Sequence, residues 1–320
     1  MVKEENMGND IKGIKNITIL GAGMMGPGLA QIFAVKGYNV TIWARRPEVL
    51  PEAIDKVRAN LETMAQNGIG RQEDIEPAIE RIKTTSDFDE AASDADFVEE
   101  AIGEDLALKQ DFFQRLDALC SEEAILATNT SVISITEIAK NSKRRGRIVG
   151  THFWNPPHLI PLVEVIKADE TSAEVMDKTM ALMSAVGKHP VRVKKDVPGF
   201  LANRLQHALW REAISIVENG IAGPAEVDEA VKNSFGLRLP VLGPMETADM
   251  AGLDLTLAIH NYVLEHIEDA HGPSPILKEK VEQGDLGLKT GRGFQEWPTE
   301  RADALRQGLV NHLLKWTKEH

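Results

Sequence analysis

The sequence predicts an α/β protein, with a doubly wound, mainly parallel sheet domain over 1–196 followed by an all-α domain over 197–320. Two observations carry this. Short β-rich runs alternate with helical stretches as far as Val193, the pattern of a parallel sheet with helices on its faces. Beyond the punctuated segment Lys194-Lys195-Asp196-Val197-Pro198-Gly199, helix signals continue but no run reads as a strand.

The elements follow in order. Residues 16–20 read as the first strand, and Gly21-Ala22-Gly23-Met24-Met25-Gly26 leads from it into a helix running towards Lys36. Residues 19–35 are nearly all apolar and mimic a short membrane span, but Gly21, Gly23, Gly26, Pro27 and Gly28 interrupt them. Further strands are expected over 39–43, 97–102, 125–128 and 147–152, and runs at 162–167 and 191–193, separated by a helical pattern over 172–187, extend the sheet. In the second domain Leu201, Leu205, Ala208, Leu209, Ile216 and Val217 recur at helical spacing, with Asn219-Gly220 as a stop. Pro224 starts and Gly236 closes the next helix, and Leu305, Leu309, Leu313 and Trp316 mark the last. So many apolar positions in a small helical lobe imply burial against a twin subunit, hence a homodimer.

Composition narrows the function. The 320 residues allow about two domains, and 42% apolar with 27% charged residues is the mixture of a globular chain. Lys plus Arg number 36 and Asp plus Glu 49, giving a net charge of −13, a field that repels phosphate backbones and anionic lipid. Neither nucleic acid nor a membrane is an expected partner. The single Cys120 cannot form an internal disulfide, and no Cys/His cluster has the spacing of a zinc site, so no metal is expected and a reducing compartment fits. Residues 1–15 lack the hydrophobic stretch of a secretory signal, which makes the cytoplasm the expected location.

The glycine turn has a mechanism. Gly21 and Gly23 permit a tight turn and close approach of backbone to a pyrophosphate, Gly26 lets helix and strand pack, and the helix N-terminus around Met24 and Met25 offers N–H donors. A merely structural βα turn is the plain alternative. The carboxylate expected at the end of the second strand, to hold a ribose, is missing: Ala44 stands there, followed by Arg45 and Arg46. Two guanidinium groups point to a 2′-phosphate and so to NADP, whereas as solvated loop charges they would leave NAD bound.

Polar residues gather at strand ends and at the domain junction, where an α/β protein places its chemistry. Asn129-Thr130-Ser131 follows one strand, and His152 ends another before Phe153-Trp154-Asn155-Pro156-Pro157. Glu164 lies inside the apolar run Leu162-Val163-Glu164-Val165-Ile166, where a carboxylate needs a partner. Asn203 sits in the first turns after Pro198-Gly199. Singly, each has a dull reading: a structural His, a paired Glu, Ser131 as the cap of a helix beginning near Ser134, and Asn203 satisfying backbone donors.

Taken together these segments closely resemble the L-3-hydroxyacyl-CoA dehydrogenase superfamily over nearly the whole chain. The marks are Gly21-x-Gly23-x-x-Gly26, Asn129-Thr130-Ser131 with Ser134-Ile135-Thr136, His152-Phe153-x-Asn155-Pro156, Leu162-Val163-Glu164, Pro198-Gly199-Phe200 with Asn203-Arg204, and Lys289-Thr290-Gly291-x-Gly293-Phe294. The resemblance implies a Rossmann-type domain, a helical dimerisation domain and reversible oxidation of a 3-hydroxyl to a 3-keto group with NAD or NADP. It carries catalytic positions over to Ser131, His152, Glu164 and Asn203, and places Glu104, Lys109 and Asn129 near the cofactor. The roles agree with the chemistry: an imidazole removes the hydroxyl proton while a hydride leaves, Glu164 accepts the second ring N–H, and Ser131 and Asn203 hold the substrate oxygen.

The substrate expectation divides. A 3-hydroxyacyl-CoA such as 3-hydroxybutyryl-CoA is the principal one. The stretch 155–164 and Leu242-Gly243-Pro244-Met245-Glu246-Thr247 look more like the branch acting on free hydroxy acids, such as gulonate or carnitine dehydrogenases. Coenzyme A phosphates want a basic rim, and the helix over 48–66 offers only Lys56 and Arg58, while Arg204 and Arg238 could pair with a free carboxylate. A catalytically silent dinucleotide-binding protein, as crystallin-like relatives suggest, is the alternative of another class.

Overall fold

The computed structural model describes Ile11 and residues 13–320, so the expectation drawn from residues 1–15 lies mostly outside the described residues. Eight strands form one sheet: β1 (Asn16–Leu20), β2 (Asn39–Trp43), β3 (Ile82–Thr85), β4 (Phe97–Glu100), β5 (Ile125–Thr128), β6 (Ile148–Phe153), β7 (Leu162–Ile166) and β8 (His189–Val193). Their order is β3-β2-β1-β4-β5-β6-β7-β8. All neighbours are parallel except β6 and β7, which run antiparallel, so β7 and β8 oppose the other six. The reason is connection length. Residues 154–161 separate β6 from β7, too few for the crossover of a dozen or more residues that a parallel pair requires.

The edge strand β3 has no counterpart in the sequence-based reading. Its Ile-Lys-Thr-Thr leaves Lys83 and Thr84 exposed, so it shows neither an apolar run nor a period of two. Helices cover both faces. α1 (Gly26–Ala34), α2 (Leu50–Gln66), α3 (Ile75–Glu80) and α7 (Ala173–Ala185) pack on one face with Ile17, Ile19, Ile42 and Val165. On the other, α4 (Phe88–Ser93), α5 (Leu106–Leu119) and α6 (Ile135–Ala139) enclose Leu20, Val98, Leu126 and Ile148. Every residue of α1 is buried, in keeping with a sequence that is apolar on all sides except at Gln31.

The chain divides into two compact units, one of residues up to Asn203 together with Val310–His320, the other Arg204–Leu309. The expected division at 196/197 left the last helix wholly in the second domain; its final turns group with the first unit. The remaining helices are α8 (Ala202–Glu218), α9 (Pro224–Lys232), α10 (Pro244–Ala251), α11 (Leu253–Val263), α12 (Pro275–Glu282) and α13 (Thr299–Glu319). The helix from Pro224 stops at Lys232, short of Gly236, and a separate 3-10 turn spans Phe235–Leu237. Among the described residues of the second unit there is no strand, only isolated bridges from Arg292 to Gly287 and Glu296. Among the described residues no helix is long and apolar enough to cross a membrane.

Strand order reverses at β1, with β2 on one side and β4 on the other, and the glycine turn sits there at the carboxyl end of β1. Gly21 has φ of 122°, and a Cβ on it would stand 2.6 Å from the Ala101 carbonyl oxygen. A Cβ on Gly26 would stand 1.9 Å from the carbonyl oxygen of Gly21, whereas one on Gly23 would meet nothing within 4 Å. Gly26→Ala is therefore expected to lower stability by about 1–3 kcal/mol through overpacking, with Gly23→Ala unchanged. Chemical denaturation of the two variants checks the contrast.

Candidate active site and dinucleotide cradle

The turn and the end of β2 face a cavity of about 390 Å³, lined among others by Gly21, Gly23, Ala44, Arg45, Arg46 and Phe112. α1 begins at Gly26 with Met25 at its N-cap and no side-chain cap, leaving the first-turn donors free for an anion. Met24 is exposed beside it. Open room over Gly23, uncapped amides and an adjoining cavity together fit the diphosphate of a dinucleotide. Ala44 is buried and its N–H donates to the Thr85 carbonyl, so no carboxylate stands at that strand end. Arg45 and Arg46 are exposed, Arg46 lying 3.8 Å from Glu48, a pairing too solvated to hold it.

At the carboxyl end of β4, Glu100 is fully buried and fully partnered: it accepts from Lys109 Nζ (2.6 Å), Thr128 Oγ1 (2.6 Å) and the Ile102 N–H (2.8 Å). Lys109 also lies 3.4 Å from Glu104. Glu104 in turn accepts from Thr130 Oγ1 (2.9 Å) and the Ser131 N–H (2.6 Å). Asn129 joins β5 to β6, its Oδ1 accepting from the Phe153 N–H at 2.8 Å. Glu104, Lys109, Thr130 and the Ser131 amide thus form one connected network with Glu100, and Asn129 touches it only through its backbone N–H, which donates to the Glu100 carbonyl at 2.8 Å. Glu100 is its centre, and sequence reasoning missed it; two glutamates ending an otherwise apolar strand were the available signal.

His152 and Glu164 face each other in register across the antiparallel β6–β7 pair, with His152 Nδ1 2.7 Å from Glu164 Oε2. Both are buried, Glu164 completely. The second oxygen of Glu164, Oε1, accepts the N–H groups of Leu201 and Ala202, each at 2.9 Å. Burial raises the carboxyl's pKa, but the bonds from His152, Ala202 and Leu201 outweigh it and hold the group below its ordinary value. An ionised Glu164 accepts the proton on Nδ1 and leaves the Nε2 lone pair for chemistry. The ring of His152 lies 5.5 Å from that of Trp154 and 5.7 Å from that of Phe200.

Asn203 lies in the first turn of α8, and its Nδ2 donates to the carbonyl of Ser131 at 3.3 Å, so backbone and not hydroxyl links these two. Ser131 does not cap α6. That cap is Ser134, which accepts the Glu137 N–H and donates to Asp196 at 2.6 Å. Arg204 belongs to the second unit, where with His207, Trp210 and Arg211 it lines a cavity of about 1090 Å³; Arg238 is exposed there. His158 is held neutral, its pKa pushed down to about 4 by burial and by Lys188. Among the described residues no three His, Cys, Asp or Glu side chains are placed to hold a metal ion.

Known proteins resemble this chain over most of its length. Residues 16–197 match the family model of the 3-hydroxyacyl-CoA dehydrogenase NAD binding domain, and 199–297 that of the 3-hydroxyacyl-CoA dehydrogenase C-terminal domain. The chain is 39% identical over 285 residues to a probable 3-hydroxybutyryl-CoA dehydrogenase of Bacillus subtilis, covering 89% of this chain and 98% of that one. It is 35% identical over 303 residues to 5-formyl-3-hydroxy-2-methylpyridine 4-carboxylate 5-dehydrogenase of Mesorhizobium japonicum, covering 94% and 96%. A solved structure of a dehydrogenase of that name, an NAD+-dependent dismutase, superposes with a TM-score of 0.87 at 33% identity, covering 94% of this chain and 97% of that one. Sheet, glycine turn and both domain matches agree: the chain belongs to the 3-hydroxyacyl-CoA dehydrogenase family, oxidoreductases that use NAD on a CH–OH group.

Proposed function

We propose that this chain interconverts an L-3-hydroxyacyl group carried on coenzyme A, such as 3-hydroxybutyryl-CoA, and its 3-keto form, with His152 as the base and Glu164 as its partner. The observation that carries the reading is the buried, fully coordinated Glu164 at 2.7 Å from His152 Nδ1. His152 Nε2 takes the hydroxyl proton, Glu164 stabilises the imidazolium that results, and the 3-carbon becomes a carbonyl as its hydride departs. Bound NAD supplies the hydride acceptor. Ser131 and Asn203, joined through the Ser131 carbonyl, hold the substrate oxygen. The backbone of Gly21, Gly23, Met24, Met25 and Gly26 receives the diphosphate, while Glu104, Lys109 and Asn129 form the wall of the cofactor site. The sheet domain, 1–196, binds the dinucleotide and the helical domain, 197–320, pairs two copies into a homodimer. Leu205, Trp210, Val241, Met245 and Leu253, all exposed in the single chain, are the surface for that pairing. The reaction belongs in the cytoplasm, where the single buried Cys120 stays a thiol.

A second reading, oxidation of a free 3-hydroxy acid in the gulonate or carnitine manner, has its own support. Both cations of α2 are taken: Lys56 pairs with Glu52 at 2.8 Å, and Arg58 with Glu76. A panel assay following reduced-nicotinamide absorbance, with acetoacetyl-CoA and free 3-keto acids against NADH and NADPH, separates the two. Turnover of the thioester supports the first reading, and turnover of free acids alone the second.

Three further outcomes follow from the residues. His152→Gln is expected to cut kcat by about 10²–10⁴-fold while dinucleotide affinity is kept, measured by steady-state kinetics and titration calorimetry. Arg45 and Arg46 are the groups that would hold a 2′-phosphate, so Ala44→Asp combined with neutral replacements at 45 and 46 should raise the ratio of kcat/KM for NADH to that for NADPH above the wild-type ratio. Glu164, held below 4.5, contributes stability that is present above that pH and is lost as pH falls through its lower folded value. The gap in urea midpoint between the wild-type chain and Glu164→Gln should therefore close on the acid side.

A further inference from the structure

Glu99 precedes Glu100 on β4 and points to the opposite face of the sheet, because side chains alternate along a strand. It is completely buried, with Ile19 of β1 and Ala127 of β5 as its neighbours in register. Both of its carboxyl oxygens lie 2.8 Å from Oγ1 of Thr151 on β6, two strands away. The methyl side chain of Ala127 on the intervening strand leaves that span open. Thr151 immediately precedes His152.

Among the described residues no cation pairs with Glu99. The buried residues that α1, α2, α3 and α7 turn to it are uncharged, and the charged groups that reach Glu99 through the sheet, Glu100 and Lys109, are already paired with each other. One hydroxyl donor does not offset the desolvation of a carboxylate. Burial accordingly pushes the Glu99 carboxyl well above the ordinary 4.5.

We propose that Glu99 is a positioning residue working as a neutral acid: by bridging β4 to Thr151 over Ala127 it fixes the end of β6 and thereby the ring of His152 against Glu164. The proposal rests on His152 as the base. It also distinguishes Glu99 from its neighbour Glu100, which pairs with Lys109 at 2.6 Å.

Two substitutions test it. Glu99→Gln keeps a neutral group of the same shape, and Glu99→Leu keeps the core apolar but removes the bridge. At neutral pH the Gln variant should retain kcat within about twofold, and the Leu variant should lose about tenfold or more in kcat with KM for the dinucleotide unchanged. The ring NMR signals of His152 should move in the Leu variant and stay in place in the Gln variant. In the unfolded chain Glu99 ionises near 4.5 whereas in the folded chain it does not, so wild-type stability should fall relative to Glu99→Gln as pH rises above that value. Wild-type kcat and unmoved His152 signals in Glu99→Leu overturn the positioning role. A Gln variant as impaired as the Leu variant, or a stability difference that does not grow with pH, overturns the neutral acid. Should Glu99→Leu fail to fold, Thr151→Val cuts the bridge from its other end and is read in the same way. Turnover kept in His152→Gln would remove the base assignment instead, an outcome separate from these because the ring signals and the stability difference do not depend on turnover.

Discussion

A carboxylate withdrawn from water must be surrounded by donors, and the arrangement around Glu164 meets that demand with three of them. One is the ring N–H of His152; the other two are the backbone amides of Leu201 and Ala202. Those amides reach it because the chain turns sharply at Pro198-Gly199-Phe200, with Gly199 at φ of 75° and Phe200 at φ of 46°. For Phe200 that conformation is costly, and the fixed amides together with the burial of its ring offset it. The segment that reads in sequence as a linker is thus part of the coordination of the buried charge. Were it to relax, Glu164 would lose two donors at once and His152 its orientation.

Three buried glutamates on one sheet show how donors decide charge. Glu100 is balanced by Lys109 in an ion pair whose members are both withdrawn from solvent. Among the described residues no Lys or Arg pairs with Glu164, and the ring N–H of His152 with two amides supplies its donors instead. Glu99, with a single hydroxyl, keeps its proton. Residue type is the same in all three and burial is complete in all three, so neither distinguishes them. The count and kind of donors does.

Much of this was legible in the sequence, because the chemistry is local. The glycine turn declares itself by spacing, and Glu164 by standing inside an apolar strand. The strands β5 to β7 are buried and rich in Val, Ile and Leu, a type that needs no tertiary information. What escaped depended on pairing. β3 is an edge strand whose stability comes from β2 and not from its own pattern. The antiparallel turn of β7 follows from an eight-residue connection, a constraint visible in sequence yet easily overridden by the surrounding parallel rhythm. The short helices α10, α11 and α12 bury no residue within the single chain, so their apolar positions show no clean face to read. The donors on Glu164 and the bridge from Glu99 to Thr151 join residues 37 and 52 positions apart, and only the assembled sheet reveals them.

Electrostatics also bear on the substrate's carrier, and magnitude decides how far. The pairs Lys56–Glu52 and Arg58–Glu76 lie at the surface, where an ion pair contributes only about 0–1 kcal/mol. A phosphate brings more charge than the carboxylate it would displace and a geometry that suits Arg58 at least as well. Competition from Glu52 and Glu76 is therefore a small local obstacle to coenzyme A. The larger one is the field of a chain carrying −13, which opposes a multiply charged ligand at every approach and is screened by salt. A free hydroxy acid carries a single charge and feels that field far less. The preference between the two carriers is thus set mainly by how many cations a bound phosphate finds at close range, since only contacts inside a Debye length outweigh the repulsion of the whole.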